Sequence, residues 1–369
     1  MDNKIIFGRW EATSLMITMI STKAILDFPR LMLEDAASAG WLLSLYVSIL
    51  ALIGFILINK LYKGFSGKDI LDISEIVGCA PVKILVGTIL LVFLILLTSF
   101  SLRLFGELIK AMGFVVTPIS FIFLFLFTGI LFGAYMGIEA LVRFMSIIVP
   151  ITILSFGIFI LAILPKTDIN NIFPLLGIGP YDVFVKGSLR LSSYTELIFL
   201  FLLIPFIKTH ENFKKTGFWA IGICSIVFIS ITIAFTNLYP YPAAIEEFFP
   251  AYQMARIIDY GRFFKRLESV LIITWATIAF MYLSTAFYFI LYVFKKTFNL
   301  KYYRPLLFPF GILIFVISLL PESLLQTVEF EKMYLRNWGW TVGFALVIIL
   351  LIIANILKSN KKKAKLSSS

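Results

Sequence analysis

Ten apolar stretches, most of them about 20 residues long, follow one another along this chain with polar connections between them. They lie near 12–30, 41–59, 82–102, 118–134, 140–164, 188–207, 217–238, 269–294, 305–321 and 338–357. A helix of that length crosses the ~30 Å hydrocarbon core of a bilayer. The runs are continuous rather than alternating, so they read as helices and not as barrel strands. With 60% hydrophobic residues and a mean hydropathy of +0.98, the chain is too apolar for a water-soluble domain of its length. The expected fold class is all-α integral membrane: one transmembrane domain over 1–369 with ten transmembrane helices.

Two stretches are interrupted by polar residues at matching places. Residues 20–30 (ISTKAILDFPR) lie in the first apolar segment and residues 188–198 (SLRLSSYTELI) in the sixth. Two five-helix repeats, 11–165 and 188–357, put equivalent helices at those two places, and transporters built from such repeats hold their substrate between discontinuous helices there. Inside hydrocarbon a helix unwinds only where protein or a water-filled cavity satisfies the freed backbone groups. Ser21, Thr22 and Lys23 in one segment, and Ser192, Ser193, Tyr194 and Thr195 in the other, can supply such partners and also contact a small polar ligand. Pro29 and Pro205 downstream add a reason to bend. The alternative is that the hydroxyls bond back within intact helices.

Lys23, Asp27 and Glu196 are read as the only ionisable side chains within the spans, and such groups are functional candidates because burying them is costly. At a rise of about 1.5 Å per residue, Lys23 lies roughly 17 Å from one edge of the core and Glu196 about 12 Å from the other, so the two meet near the same level. They are expected to form an ion pair or jointly to hold a zwitterionic ligand. Asp27, four residues beyond Lys23, offers that lysine an i,i+4 partner if the helix persists. On the eighth span, Ser284 and Thr285 present neighbouring hydroxyls that fit either an ion site or helix packing.

Charge gives a sidedness. The amino terminus, the even-numbered connections and the tail hold 19 cations against 7 acids, and the opposite side holds 12 of each. By the positive-inside rule both termini are cytoplasmic. The formal +11 is then mainly an asymmetry of one face, and no nucleic acid is needed to explain it. The basic tail at 358–369 serves topology and can touch the headgroups of membrane lipids. The long connections 165–187 and 239–268 fall outside, the second reading as a cap. Residues 67–77 read as a short amphipathic helix on the membrane, with Ile70, Leu71, Ile73, Ile76 and Val77 toward lipid, or as a subunit contact. No cleavage pattern suggests a removable signal before Trp41. Cys79, Cys224 and the single His210 are too scattered for a metal or redox site, and no nucleophile and base constellation points to an enzyme.

Several strings in fixed order resemble one family: the first segment running into FPR at 28–30, AGWL at 39–42, GKDILDISE at 67–75, Glu196, RLES at 266–269 and Trp275. Together they resemble the B subunit of GerA-type spore germination receptors, permease-like proteins of the amino acid, polyamine and organocation transporter superfamily. The resemblance implies a LeuT-like fold with discontinuous helices 1 and 6. It implies a spore inner membrane or bacterial cytoplasmic membrane location, A and C subunits as partners, and recognition of a small nutrient such as an amino acid. It carries over a pocket between the first, third, sixth and eighth helices, here Ser21, Thr22, Lys23, Ser192, Ser193, Thr195 and Ser284. It calls for no cofactor and leaves H⁺ or Na⁺ open as a coupling ion. Members of this family tend to have glycine at the first break and before the sixth-helix acid, where this chain has Thr22-Lys23 and Ser193-Tyr194-Thr195. A lysine there favours an anionic ligand or a site locked by internal pairing, and Tyr194 serves as a lid or as packing. Arg266 and Glu268 are expected to anchor the outer loop. Two further readings stay open: a proton- or sodium-coupled amino acid transporter, and a membrane scaffold that binds no ligand.

Overall fold

A capping box opens the longest helix of the chain. Asp69 accepts from the Asp72 amide at 2.9 Å and donates its own amide to the Asp72 carboxylate at 3.1 Å, satisfying two of the amides that a helix start leaves free. The computed structural model describes residues 7–114, 116–207, 209–258 and 267–367, without the side chains of 267–272 and 361–367. Within them every regular element is a helix and no strand occurs.

The first apolar segment divides into α1 (Arg9–Ser21), a 3₁₀ turn at Thr22–Ala24 and α2 (Phe28–Ala36). Then come α3 (Gly40–Tyr62), α4 (Ile70–Gly113), α5 (Ile119–Met136), α6 (Ile138–Ile163) and the short α7 (Pro180–Phe184). A 3₁₀ stretch at Lys186–Leu197 leads into α8 (Ile198–Ile207), followed by α9 (His210–Leu238) and α10 (Pro250–Ile257). The last part holds α11 (Leu267–Thr297), α12 (Leu307–Leu319), α13 (Leu324–Phe330), two π-helical turns at Glu331–Arg336 and Thr341–Ala345, and α14 (Leu346–Ser367).

Eight helical stretches among the described residues are long and apolar enough to cross a membrane. Each covers one of ten expected spans. The remaining two are represented by shorter pieces: the first segment is cut at residue 22, and residues 304–319 form a helix below that length.

The first and sixth segments lie innermost. α1 is almost wholly buried from Ala12 to Ile20, and 89% of the apolar window in Pro180–Ile207 is enclosed, against 17% in Ile138–Lys166. α1 packs on α9 and α6, α11 packs on α4 and α5, and the 3₁₀ stretch is held between α3 and the second π turn. Aromatic rings fill the centre, with Phe28 stacked on Phe228 at 4.1 Å between centroids and Tyr194 edge-on to the same ring at 5.5 Å.

The leading apolar residues of 67–77 face the protein and not lipid. Ile70, Leu71 and Ile73 are buried, and Ile70 and Ile73 share a small gap with Tyr62, Phe201 and Leu351. The helix turns inward because Gly78 and Cys79 leave helical geometry, Cys79 at φ 56°, just before Pro81. Asp69, fully enclosed, also accepts from the Tyr292 hydroxyl at 2.7 Å and the Lys296 ammonium at 2.6 Å. Burial pushes the Asp69 carboxyl above its ordinary range, with the Lys296 charge opposing. This cluster ties the start of α4 to the end of α11. Asp69→Ala removes a cap worth ~1 kcal/mol and a buried charge-assisted contact worth ~1.5–3 kcal/mol. Thermal unfolding in detergent should show a clear drop for Asp69→Ala; an unchanged transition would mean that the cluster does not hold the two helices.

Candidate functional site

Helix 1 breaks where its side chains compete with its backbone. The Thr22 hydroxyl donates back to the Thr18 carbonyl at 2.5 Å, and the next two amides form tighter i→i+3 bonds, Ile25 to Thr22 at 3.2 Å and Leu26 to Lys23 at 3.1 Å. Helical geometry resumes at Phe28, where Pro29 falls in the first turn and its missing N–H leaves no gap. In the sixth segment Lys186–Leu197 is 3₁₀ on either side of Tyr194, which leaves helical dihedrals at φ −109°, ψ 15°. Short 3₁₀ pieces of this kind replace a regular α-helix here. Side chains support them: Thr195 donates to the Ser192 carbonyl at 2.7 Å, and Ser192 to the carbonyls of Leu189, at 2.9 Å, and Arg336.

Lys23 joins the two interruptions. Its ammonium is ion-paired with Glu196 and donates to the Ser193 carbonyl at 2.8 Å, with 4% and 1% of the two side chains exposed. Lys23 thus meets both the carboxylate and a main-chain oxygen of the second interruption. Asp27 is not its partner. The helix does not persist from 23 to 27, and Asp27 instead faces Arg336, Oδ1 standing 3.8 Å from Nη2. Arg336 is also ion-paired with Glu331 on the preceding turn.

Five ionisable side chains therefore gather here, not three. Glu331 and Arg336 are 1% and 5% exposed, yet they precede the last apolar run and count as loop residues by position alone. A pairing across five residues is a product of the π turn at Glu331–Arg336, and no spacing rule for an α-helix would propose it. The signal available was the apolar company of this acid and this cation, with Leu324, Val328, Phe330 and Leu335 around them. Arg103, paired with Glu107 at 2.8 Å, is a further buried cation missed in this way.

Tyr194 is fully buried, and its hydroxyl lies 2.8 Å from that of Ser48 and 2.9 Å from that of Ser225. Ser284 and Thr285 are buried without hydrogen-bond partners. A Cβ at Gly133 would stand 2.5 Å from the Ser284 hydroxyl, so that hydroxyl packs against α5 and not toward Lys23. Arg266 and the side chain of Glu268 lie outside the described residues.

Open space lies beside the charged pair. A narrow cleft of about 40 Å³ is lined by Thr18, Ser21, Ala24 and Ile25 with Thr152 of α6, Ile231 of α9 and Trp275 of α11. A second, of about 310 Å³, lies across Ile25 and Trp275, with Phe105, Met112 and Phe125 on its far side. Neither is lined by Lys23 or Glu196. The last segment closes over the other flank: a Cβ at Gly343 would stand 2.9 Å from the Thr195 Cα and one at Gly339 2.7 Å from its hydroxyl. Only a residue without a side chain allows that approach.

The family model described as "Spore germination protein" matches residues 9–326. The chain belongs to this family. It is of the permease-like, B-subunit kind found in GerA-type receptors. Spore germination protein YndE of Bacillus subtilis is 25% identical over 367 residues, covering 95% of this chain and 97% of that protein. Spore germination protein KB of the same organism is 21% identical, covering 91% and 92%, and spore germination protein B2 is 24% identical over 68% of each chain. The match by family therefore includes both interrupted segments and stops short of Arg336.

Lys23→Met alone leaves Glu196 buried without its partner, which costs ~3–5 kcal/mol. The double variant Lys23→Met/Glu196→Gln should recover most of that loss. Additive losses in chemical unfolding would show that the two groups do not act as a pair. At Gly343, adding one methyl group as Gly343→Ala should cost ~1–3 kcal/mol through overpacking against the Thr195 backbone; a neutral result would mean that the last segment is free to withdraw.

Proposed function

We propose that this chain is the membrane-embedded, permease-like subunit of a spore germinant receptor, that it binds a small nutrient such as an amino acid beside its two unwound segments, and that binding there triggers germination. The observation that carries the reading is the union of family membership with a buried ion pair, Lys23–Glu196, joining the two interruptions. A ligand bearing charge competes with an internal bond, so binding and rearrangement are one event: whatever separates Lys23 from Glu196 must compensate both groups. The narrow cleft lined by Thr18 and Ser21 supports a ligand position next to the pair that widens as the ligand enters.

In this reading the chain works with A and C subunits in the spore inner membrane. Both termini are cytoplasmic, and ten helices form two inverted repeats, with α1–α2 and the Lys186–Leu197/α8 segment as the discontinuous helices. The excess of Lys and Arg on one set of connections supports that orientation.

Co-expressed with A and C subunits in a spore-forming host stripped of its own receptors, the chain should confer germination in response to amino acids, and omitting it should abolish the response. Vesicles containing the chain alone should not accumulate labelled amino acid. Accumulation would replace the receptor with a secondary transporter, and a full germination response from Lys23→Met/Glu196→Gln would remove the charged pair from the mechanism.

A further inference from the structure

We propose that the Asp27–Arg336–Glu331 cluster binds one additional positive charge, carried by a proton or by a monovalent metal ion. Lys23 and Arg336 face the carboxylates of Glu196, Asp27 and Glu331, so two cations stand against three acids, each of the five no more than 5% exposed. The other buried or half-buried pairs nearby are balanced one to one: Arg190 with Asp35, Lys332 with Glu34, and Arg103 with Glu107. Arg30, one turn beyond Asp27, does not supply the missing charge. Its Nε donates to the Ile245 carbonyl at 2.6 Å and its guanidinium lies over the Phe248 ring at 4.5 Å. Tyr282, whose hydroxyl accepts from Ser101 at 3.5 Å, and the thiol of Cys224 add no positive charge. An excess carboxylate sealed from water costs several kcal/mol, and the protein relieves that cost by taking up a compensating cation.

The second observation places the site. Glu196 is committed to Lys23, but Oδ1 of Asp27 and Oε2 of Glu331 are buried without hydrogen-bond partners, as is Nε of Arg336. Asp27 stands 3.8 Å from the guanidinium, beyond hydrogen-bond range. Two carboxylate oxygens flanking one arginine are thus the unsatisfied acceptors of the cluster. No group of three metal-ligating side chains converges among the described residues, which disfavours a divalent ion and fits a single charge. Because Asp27 begins α2 and Glu331 and Arg336 form the π turn before the last segment, filling the site would bind those two elements together. The inference does not depend on nutrient binding.

Thermal unfolding of the purified full-length protein in lipid nanodiscs tests it. One series replaces choline by Na⁺ at constant ionic strength, and another runs between about pH 5 and pH 8. The wild type should shift upward with Na⁺ if the charge is a metal ion, or with falling pH if it is a proton. Asp27→Asn and Glu331→Gln should each remove the part of that shift supplied by the cluster, and Glu139→Gln, exposed at the start of α6, should retain the full wild-type shift. For the proton, the infrared spectrum of the wild type should also contain a protonated-carboxyl band that Glu331→Gln or Asp27→Asn removes. Indifference of the wild type to both Na⁺ and pH, or an unchanged shift in both cluster variants, would overturn the proposal. Should both variants fail to fold, the wild-type band and Na⁺ series decide alone: neither a carboxyl band nor a Na⁺ shift would overturn it.

Discussion

A lysine ammonium held between a carboxylate and a backbone carbonyl is the contact on which the centre of this protein depends. Lys23 reaches Glu196 and the Ser193 oxygen from a segment that has itself stopped being an α-helix. Unwinding frees backbone groups that lipid cannot satisfy, and the charge needs acceptors that lipid cannot offer. Each problem is the other's solution. The two interrupted segments are stable as a pair in a place where neither would be stable alone.

The surrounding packing follows from that pairing. Segments with polar interiors must be shielded, and the first and sixth are the most enclosed parts of the chain, while Ile138–Lys166 remains largely exposed with its apolar side chains outward. Shielding is completed by the last segment, which approaches Thr195 through Gly339 and Gly343 and brings Glu331 and Arg336 against Asp27. The result is an electrostatic centre joined to three parts of the chain that lie far apart in sequence.

Much of this was legible from the residues. Continuous apolar runs announce membrane helices, and a lysine and a glutamate alone in such runs invite pairing, since an unpaired charge there is costly. Ser21-Thr22-Lys23 and the hydroxyl-rich stretch ending at Glu196 announce weak helix for the same reason. Other features could not be read this way. Ile70, Leu71 and Ile73 have the pattern of a helix lying on lipid, but the kink at Gly78 and Cys79 turns that face onto Tyr62 and the last helix. Periodicity shows that a face is apolar and not what covers it. Asp27 has a lysine four residues away, yet pairs with an arginine more than three hundred residues on because the intervening turn is not helical.

The sequence by itself determined that this is an all-helical membrane protein of the spore germination family, interrupted in its first and sixth segments, with Lys23 and Glu196 placed at matching depth. Those conclusions rest on local quantities: the hydropathy of a run, the cost of an isolated charge, the order of short strings. Only the tertiary structure decided that Glu331 and Arg336 join them, that the Tyr194 hydroxyl meets Ser48 and Ser225, that Ser284 turns toward Gly133, and that a cleft opens along Thr18 and Ser21. Each of these depends on which distant segment comes to lie against which, and that is settled by the summed fit of many side chains, a quantity no single stretch of sequence contains.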